Sequence, residues 1–141
     1  LYSPRAILHT RYGKIEILLN IVEAPLTCAN FIDLARRGFF DGLAFHRVVP
    51  GFVIQGGDPR GDGNGGPGYS LRCEIGQKPY GRGAVGMALS GKDTGGSQFF
   101  FTFGTTPHLE GRYTAFGQVE SGMEVLDRIL AGDRILKATV E

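Results

Sequence analysis

The chain is predicted to be mainly β: a closed eight-stranded antiparallel β-barrel with two capping α-helices. Three observations lead there. Short runs of aliphatic and aromatic residues recur between turn residues, as strands do. Glycine and proline together supply 30 of 141 residues, which is turn-rich yet below the roughly 25–30% typical of low-complexity chains. Only two stretches carry a helical period with recognisable ends. Open sheet edges invite aggregation and closure removes them, which favours a barrel over an open sheet.

The elements follow in order. Ala6 to Thr10 and Lys14 to Leu19 read as a hairpin around Arg11, Tyr12 and Gly13. Pro25 at a first helical position, then Cys28, Phe31, Ile32 and Ala35 at helical spacing with Gly38 beyond, predict a helix of about three turns. Asn30, Asp33 and Arg37 fall on its wet side. Strands are expected at Ala44 to Val49, Phe52 to Gln55, Ala84 to Ala88, Gln98 to Phe103, Tyr113 to Val119 and Leu136 to Val140. Ser121 with Glu124 three residues on reads as a capping box. The helix it opens carries Val125, Leu126, Ile129 and Leu130, and Gly132 ends it. Asp58 to Tyr69 is the longest stretch without such a pattern and is too polar for core.

Forty Leu, Ile, Val and Phe residues are enough for an ordered core in one domain, residues 1–141, and Leu1 leaves room for a longer parent chain. A net charge of +1 with both signs interspersed gives no footprint for nucleic acid or a membrane surface. No apolar run approaches the length of a membrane span, so a soluble protein of unassigned compartment is expected. Cys28 and Cys73 are too few for a disulfide framework and are expected as free thiols.

Several motifs fail on their surroundings. Gly61 to Gly66 satisfies the dinucleotide spacing, but Pro67 and Gly68 stand where a helix must begin. Gly86 to Asp93 approaches a phosphate loop, yet Asp93 replaces the hydroxyl that would hold magnesium. Asp58, Asp62 and Asn64 hint at a calcium loop, but Arg60 occupies a ligand position, so no metal is indicated. Ser90 and Ser97 lack a nucleophile elbow, and His9, His46 and His108 show no triad or metal spacing. His46 is expected to be structural, hydrogen-bonded to backbone.

Two segments remain. In Phe45 to Asp58 a single fixed cation, Arg47, sits among residues suited to line a groove, and Gly95 to Thr102 repeats the theme of a glutamine beside aromatics. Strand alternation places Phe100 on one face and Phe99 and Phe101 on the other, so Phe100 is assigned to the groove and its neighbours mainly to packing. Phe45-His-Arg-Val-Val-Pro-Gly-Phe52, Gln55-Gly-Gly-Asp58, Gly96-Ser-Gln-Phe-Phe100 and Tyr113-Thr-Ala-Phe-Gly-Gln-Val119 together resemble the cyclophilin family of peptidyl-prolyl cis/trans isomerases, in a bacterial-like member. The match runs through nearly the whole chain.

The resemblance implies an eight-stranded barrel with two helices and a cofactor-independent isomerase acting on proline-containing polypeptide segments during folding. It implies Arg47 as the catalytic residue, hydrogen-bonding the prolyl nitrogen in the twisted transition state. Phe52, Val53, Phe100 and Leu109 would wall the proline pocket, with Gln55 and Gln98 as polar orienters. Ala88, Leu89 and Ser90 would line the groove beside it, the backbone of Leu89 pairing with substrate backbone. The pattern departs at His108, where tryptophan or phenylalanine is common, and at Tyr113, where many members have histidine. With no tryptophan in the chain, weak cyclosporin binding is expected. A monomer is expected, and the competing reading is a proline-peptide binding or holdase module with little catalysis.

Overall fold

The computed structural model describes residues 4–61, 66–70, 81–88, 96–104 and 114–141. Among them are eight strands: β1 Arg5–Thr10, β2 Gly13–Leu19, β3 Arg47–Val49, β4 Val53–Gly56, β5 Ala84–Met87, β6 Phe99–Thr102, β7 Ala115–Ser121 and β8 Lys137–Val140. Two helices accompany them, α1 Pro25–Arg36 and α2 Met123–Leu126. All eight strands join one antiparallel sheet in the order β3-β4-β6-β5-β7-β2-β1-β8. The chain's two ends meet within it, because Ala6 on β1 lies opposite Val140 on β8.

The sheet curls around an aromatic core. Phe31 of α1 lies 4.8 Å from Phe40, 5.3 Å from Phe116 and 5.4 Å from Phe99, ring centre to ring centre. Alternating residues of the strands complete the interior, among them Leu8, Ile15, Ile17, Ile54, Val85, Phe99 and Phe101. No ladder joins the edge strands β3 and β8 among the described residues. The segments leading into those strands are instead linked by backbone hydrogen bonds, Gly42 N–H to Ile135 O at 2.7 Å, Phe45 N–H to Asp133 O at 2.7 Å and Ile135 N–H to Leu43 O at 2.9 Å.

The first helix forms as expected, with Pro25 in its first turn. Its buried face is Thr27, Cys28, Phe31, Leu34 and Ala35, and Ile32 is only half-buried. It ends in a Schellman arrangement: Phe39 N–H reaches Leu34 O and Gly38 N–H reaches Ala35 O. Asp33 and Arg37 form an exposed ion pair one turn apart. Cys28 is a buried free thiol that donates to Phe116 O at 3.4 Å, and Cys73 lies outside the described residues.

Two expectations need correcting. The capping box does not form, because Ser121 is still pairing with Glu16 at the end of β7. The residue before α2 is Gly122 at φ 100°, where a Cβ would sit 2.3 Å from Lys14 O, so only glycine fits. α2 is correspondingly one turn, and Leu130, expected on its apolar face, is 66% exposed. The strand predicted from Ala44 begins only at Arg47, and Ala44 makes an isolated bridge to Arg134.

Candidate functional site

The β3–β4 hairpin places the cation. Pro50 and Gly51, with Gly51 at φ 74°, are the pair a type II turn requires, and Phe52 N–H closes the turn on Val49 O at 3.0 Å. That turn sets Arg47 opposite Gln55 and Val49 opposite Val53. On the next strand Gln55 faces Phe100, beyond it Phe100 faces Gly86, and past a register shift Gly86 faces Ala115. Directly opposed residues of adjacent antiparallel strands point to the same side. One row, Arg47–Gln55–Phe100–Gly86–Ala115, therefore crosses five strands on the outer face of the sheet.

The packing along this row is separate from the main core. Val53, Ala84 and Phe100 are buried against each other, with Val49, Phe52, Ala88 and Ala115 half-buried around them. Phe99 and Phe101 point into the interior, so three consecutive phenylalanines divide between two apolar clusters by alternation alone. The residues beside Phe100 are small: Gly86 has no side chain, and Ala84, Ala88 and Ala115 have one methyl each.

The polar side of the row is built from two amides. Gln55 Nε2 donates to Gln98 Oε1 at 2.9 Å, and the backbone carbonyl of Gln98 accepts from Ala88 N–H at 3.0 Å. Arg47 is exposed and makes no ion pair among the described residues. His46 beside it has a buried Nδ1 without a hydrogen-bond partner among those residues, where a backbone bond was expected. Opposite in sense to Arg47, Val48 lines a different cavity of about 370 Å³ with Pro50, Phe103, Leu126 and Ile129, and no predicted site residue borders it.

Arg47, Phe52, Val53, Gln55, Ala88, Gln98 and Phe100 are thus brought together. Leu89, Ser90, His108, Leu109 and Tyr113 lie outside the described residues, as do Asp62, Asn64 and Asp93 of the rejected motifs. No group of three or more metal-ligating side chains occurs among the described residues. Asn30 and Tyr69 were not in the predicted set, yet they reach the chain leading to Gln98: Asn30 Nδ2 donates to Gly96 O at 2.8 Å, and Tyr69 donates to Asn30 Oδ1. The available signal was an asparagine, a poor helix former, in the middle of α1.

Residues 5–140 match the family model described as cyclophilin type peptidyl-prolyl cis-trans isomerase/CLD. The chain belongs to the cyclophilin-type peptidyl-prolyl cis-trans isomerase family. A peptidyl-prolyl cis-trans isomerase of Synechococcus elongatus is 48% identical over 138 residues, spanning 96% of this chain and 95% of that one. Peptidyl-prolyl cis-trans isomerase B of Bacillus subtilis is 52% identical over 131 residues, 92% of each chain. A crystal structure of a Cryptosporidium parvum cyclophilin type isomerase superposes with a TM-score of 0.93 at 32% identity, covering 99% of this chain and 98% of that one. The same Cryptosporidium protein, crystallised in the presence of the dipeptide Ala-Pro, gives a TM-score of 0.89. The cyclophilin activity, rotation about Xaa-Pro bonds, needs no cofactor, and no described helix is long and apolar enough to cross a membrane.

Proposed function

We propose that the outer-face row is the groove in which this cyclophilin turns Xaa-Pro bonds, with the proline ring against Phe100 and Val53 and with Arg47 acting on the prolyl nitrogen. The register carries the reading: one cation with no ion pair among the described residues, one amide pair and one aromatic residue occupy consecutive strands on one face. Neighbouring strands lie roughly 4.8 Å apart, so Arg47 and Phe100 are about 10 Å apart at the backbone. An arginine side chain and a proline ring divide that distance between them.

The barrier to peptide rotation is roughly 18–20 kcal/mol because the nitrogen lone pair is conjugated with the carbonyl. As the bond twists, the lone pair localises on nitrogen and can accept a hydrogen bond that the planar amide could not. A guanidinium donating there stabilises the transition state and not the ground state. About 5 kcal/mol from Arg47 and a preorganised groove would supply between three and four decades of rate. Arginine suits the task because its charge is permanent and its donors are held in a planar fork. Gln55, directly beside Arg47, and Gln98 orient the substrate carbonyl as it swings.

In this reading Leu89, Ser90, His108, Leu109 and Tyr113 complete the groove, on the strength of their place in the family's motifs. The absence of an indole at His108 keeps cyclosporin affinity weak. The domain, residues 1–141, works as a monomer. The sheet closes into a barrel where residues 42–45 meet 132–135, a seam of short backbone hydrogen bonds standing in for a ladder. Slow amide exchange of Phe45 and Ile135, matching that of β1 and β2, is the expected result; rapid exchange there would leave the sheet open.

The central test compares wild type with Arg47→Ala and Arg47→Lys in a protease-coupled or exchange-NMR isomerisation assay. Both variants should lose about two to three decades of kcat/KM with little change in thermal midpoint. Equal rates would remove Arg47 from the mechanism. Retained peptide binding without acceleration in the wild type would favour a binding module.

A further inference from the structure

Gln98 stands just before β6 begins, so its orientation depends on how the chain arrives there. Gly96 is pressed against Pro67 so closely that a Cβ on it would meet Pro67 Cδ at 2.8 Å. A carbonyl can only accept, so the Gly96 carbonyl fixes which end of the Asn30 amide faces it. The other end is thereby turned to receive the Tyr69 hydroxyl. One side chain on α1 thus ties the chain entering the site to the 66–70 segment, and the next residue is held as well, Ser97 Oγ donating to Gly57 O at 2.6 Å. Gly96 and Ser97 directly precede Gln98, and Gly57 is two residues beyond Gln55; Asn30 is no part of the row on the outer face.

We propose that Asn30 is a positioning residue for isomerisation: through Gly96 it sets the orientation of Gln98, and through Gln98 that of Gln55 beside Arg47. The inference rests on the reading of that row as the proline groove. Asn30→Asp keeps the shape and the acceptor for Tyr69 but sets a carboxylate oxygen against the Gly96 carbonyl. Tyr69→Phe removes one hydrogen bond at a half-exposed position and should leave the fold intact.

The experiment is a double-mutant cycle on kcat/KM, measured by exchange NMR on an Ala-Pro peptide, with thermal midpoints recorded alongside. Asn30→Asp should lower kcat/KM about ten-fold, chiefly through kcat, and Tyr69→Phe about two- to three-fold. In a Gln98→Ala background Asn30→Asp should cost nothing further, a result that a merely destabilising change would not give. A full additional loss in that background, or wild-type activity in Asn30→Asp, overturns the positioning role alone. Wild-type activity in Gln98→Ala overturns the glutamine pair, and the positioning role with it. Should Asn30→Asp fail to fold, Tyr69→Phe run through the same cycle decides.

Discussion

Arg47 and Gln55 face each other across one strand pair, so what replaces Gln55 decides how free the guanidinium is. Gln55→Glu would create a carboxylate directly opposite, and the ion pair would hold Arg47 away from substrate. Activity should fall about ten- to a hundred-fold at neutral pH. It should return as the pH drops through the titration of that carboxylate, below its ordinary value because Arg47 favours the charged form. Rates of the variant measured by exchange NMR from pH 7 to 3 check this, and a flat profile would separate the two residues functionally. Part of this site was legible from sequence for a simple reason. Alternation has a period of two, so Phe100 could be sorted from Phe99 and Phe101 without knowing any partner strand. Asn30 could not be found in that way. Helical periodicity put it on the wet side, and its partner Gly96 is 66 positions away, brought over by folding alone.

At the scale of elements, α1 is held by its aromatic residue more than by its own propensity. Phe31 touches rings from three other parts of the chain, Phe40, Phe99 and Phe116, and is almost wholly buried. Phe31→Ala should cost about 3–5 kcal/mol, read as a lower urea midpoint at unchanged slope. A loss under about 1 kcal/mol would mean that the helix docks by other contacts. The boundaries of α1 could be read because a proline and a glycine mark them locally. Those of α2 could not: the Ser121–Glu124 pattern satisfies the capping rule, but β2 claims Ser121 for its ladder, and a sheet partner outweighs a cap worth about 1 kcal/mol. The polar stretch after β4 misleads in the opposite direction, since Asp58 is buried and accepts from Arg60 N–H.

For the molecule as a whole, the amino-terminal strand lies between β2 and β8, and a side-chain tie also joins it to β7. Arg5 Nε donates to Glu120 at 2.6 Å. That hydrogen bond and the nearby positive charge hold the Glu120 carboxyl below its ordinary range, and the same pairing raises Arg5. A depressed carboxyl contributes stability that is present above its unfolded value and lost as pH falls through its folded one. Arg5 would give up its share only in strong alkali. Melting curves from pH 7 to 3 should therefore show a smaller acid decline for Glu120→Gln than for wild type, and equal declines would mean that solvent screens the pair entirely. The fold class was readable because its strands are short, punctuated and strongly patterned. The backbone bonds linking residues 42–45 to 132–135 were not, since every residue they join except Phe45 stands outside the patterned runs.

The three phenylalanines of β6 have one more consequence. Because Phe100 is flanked on both sides by residues buried in the interior, the proposed groove wall is anchored directly to the core. As the temperature climbs, turnover should hold until the sheet and its core melt, with no earlier, separate loss of catalytic competence.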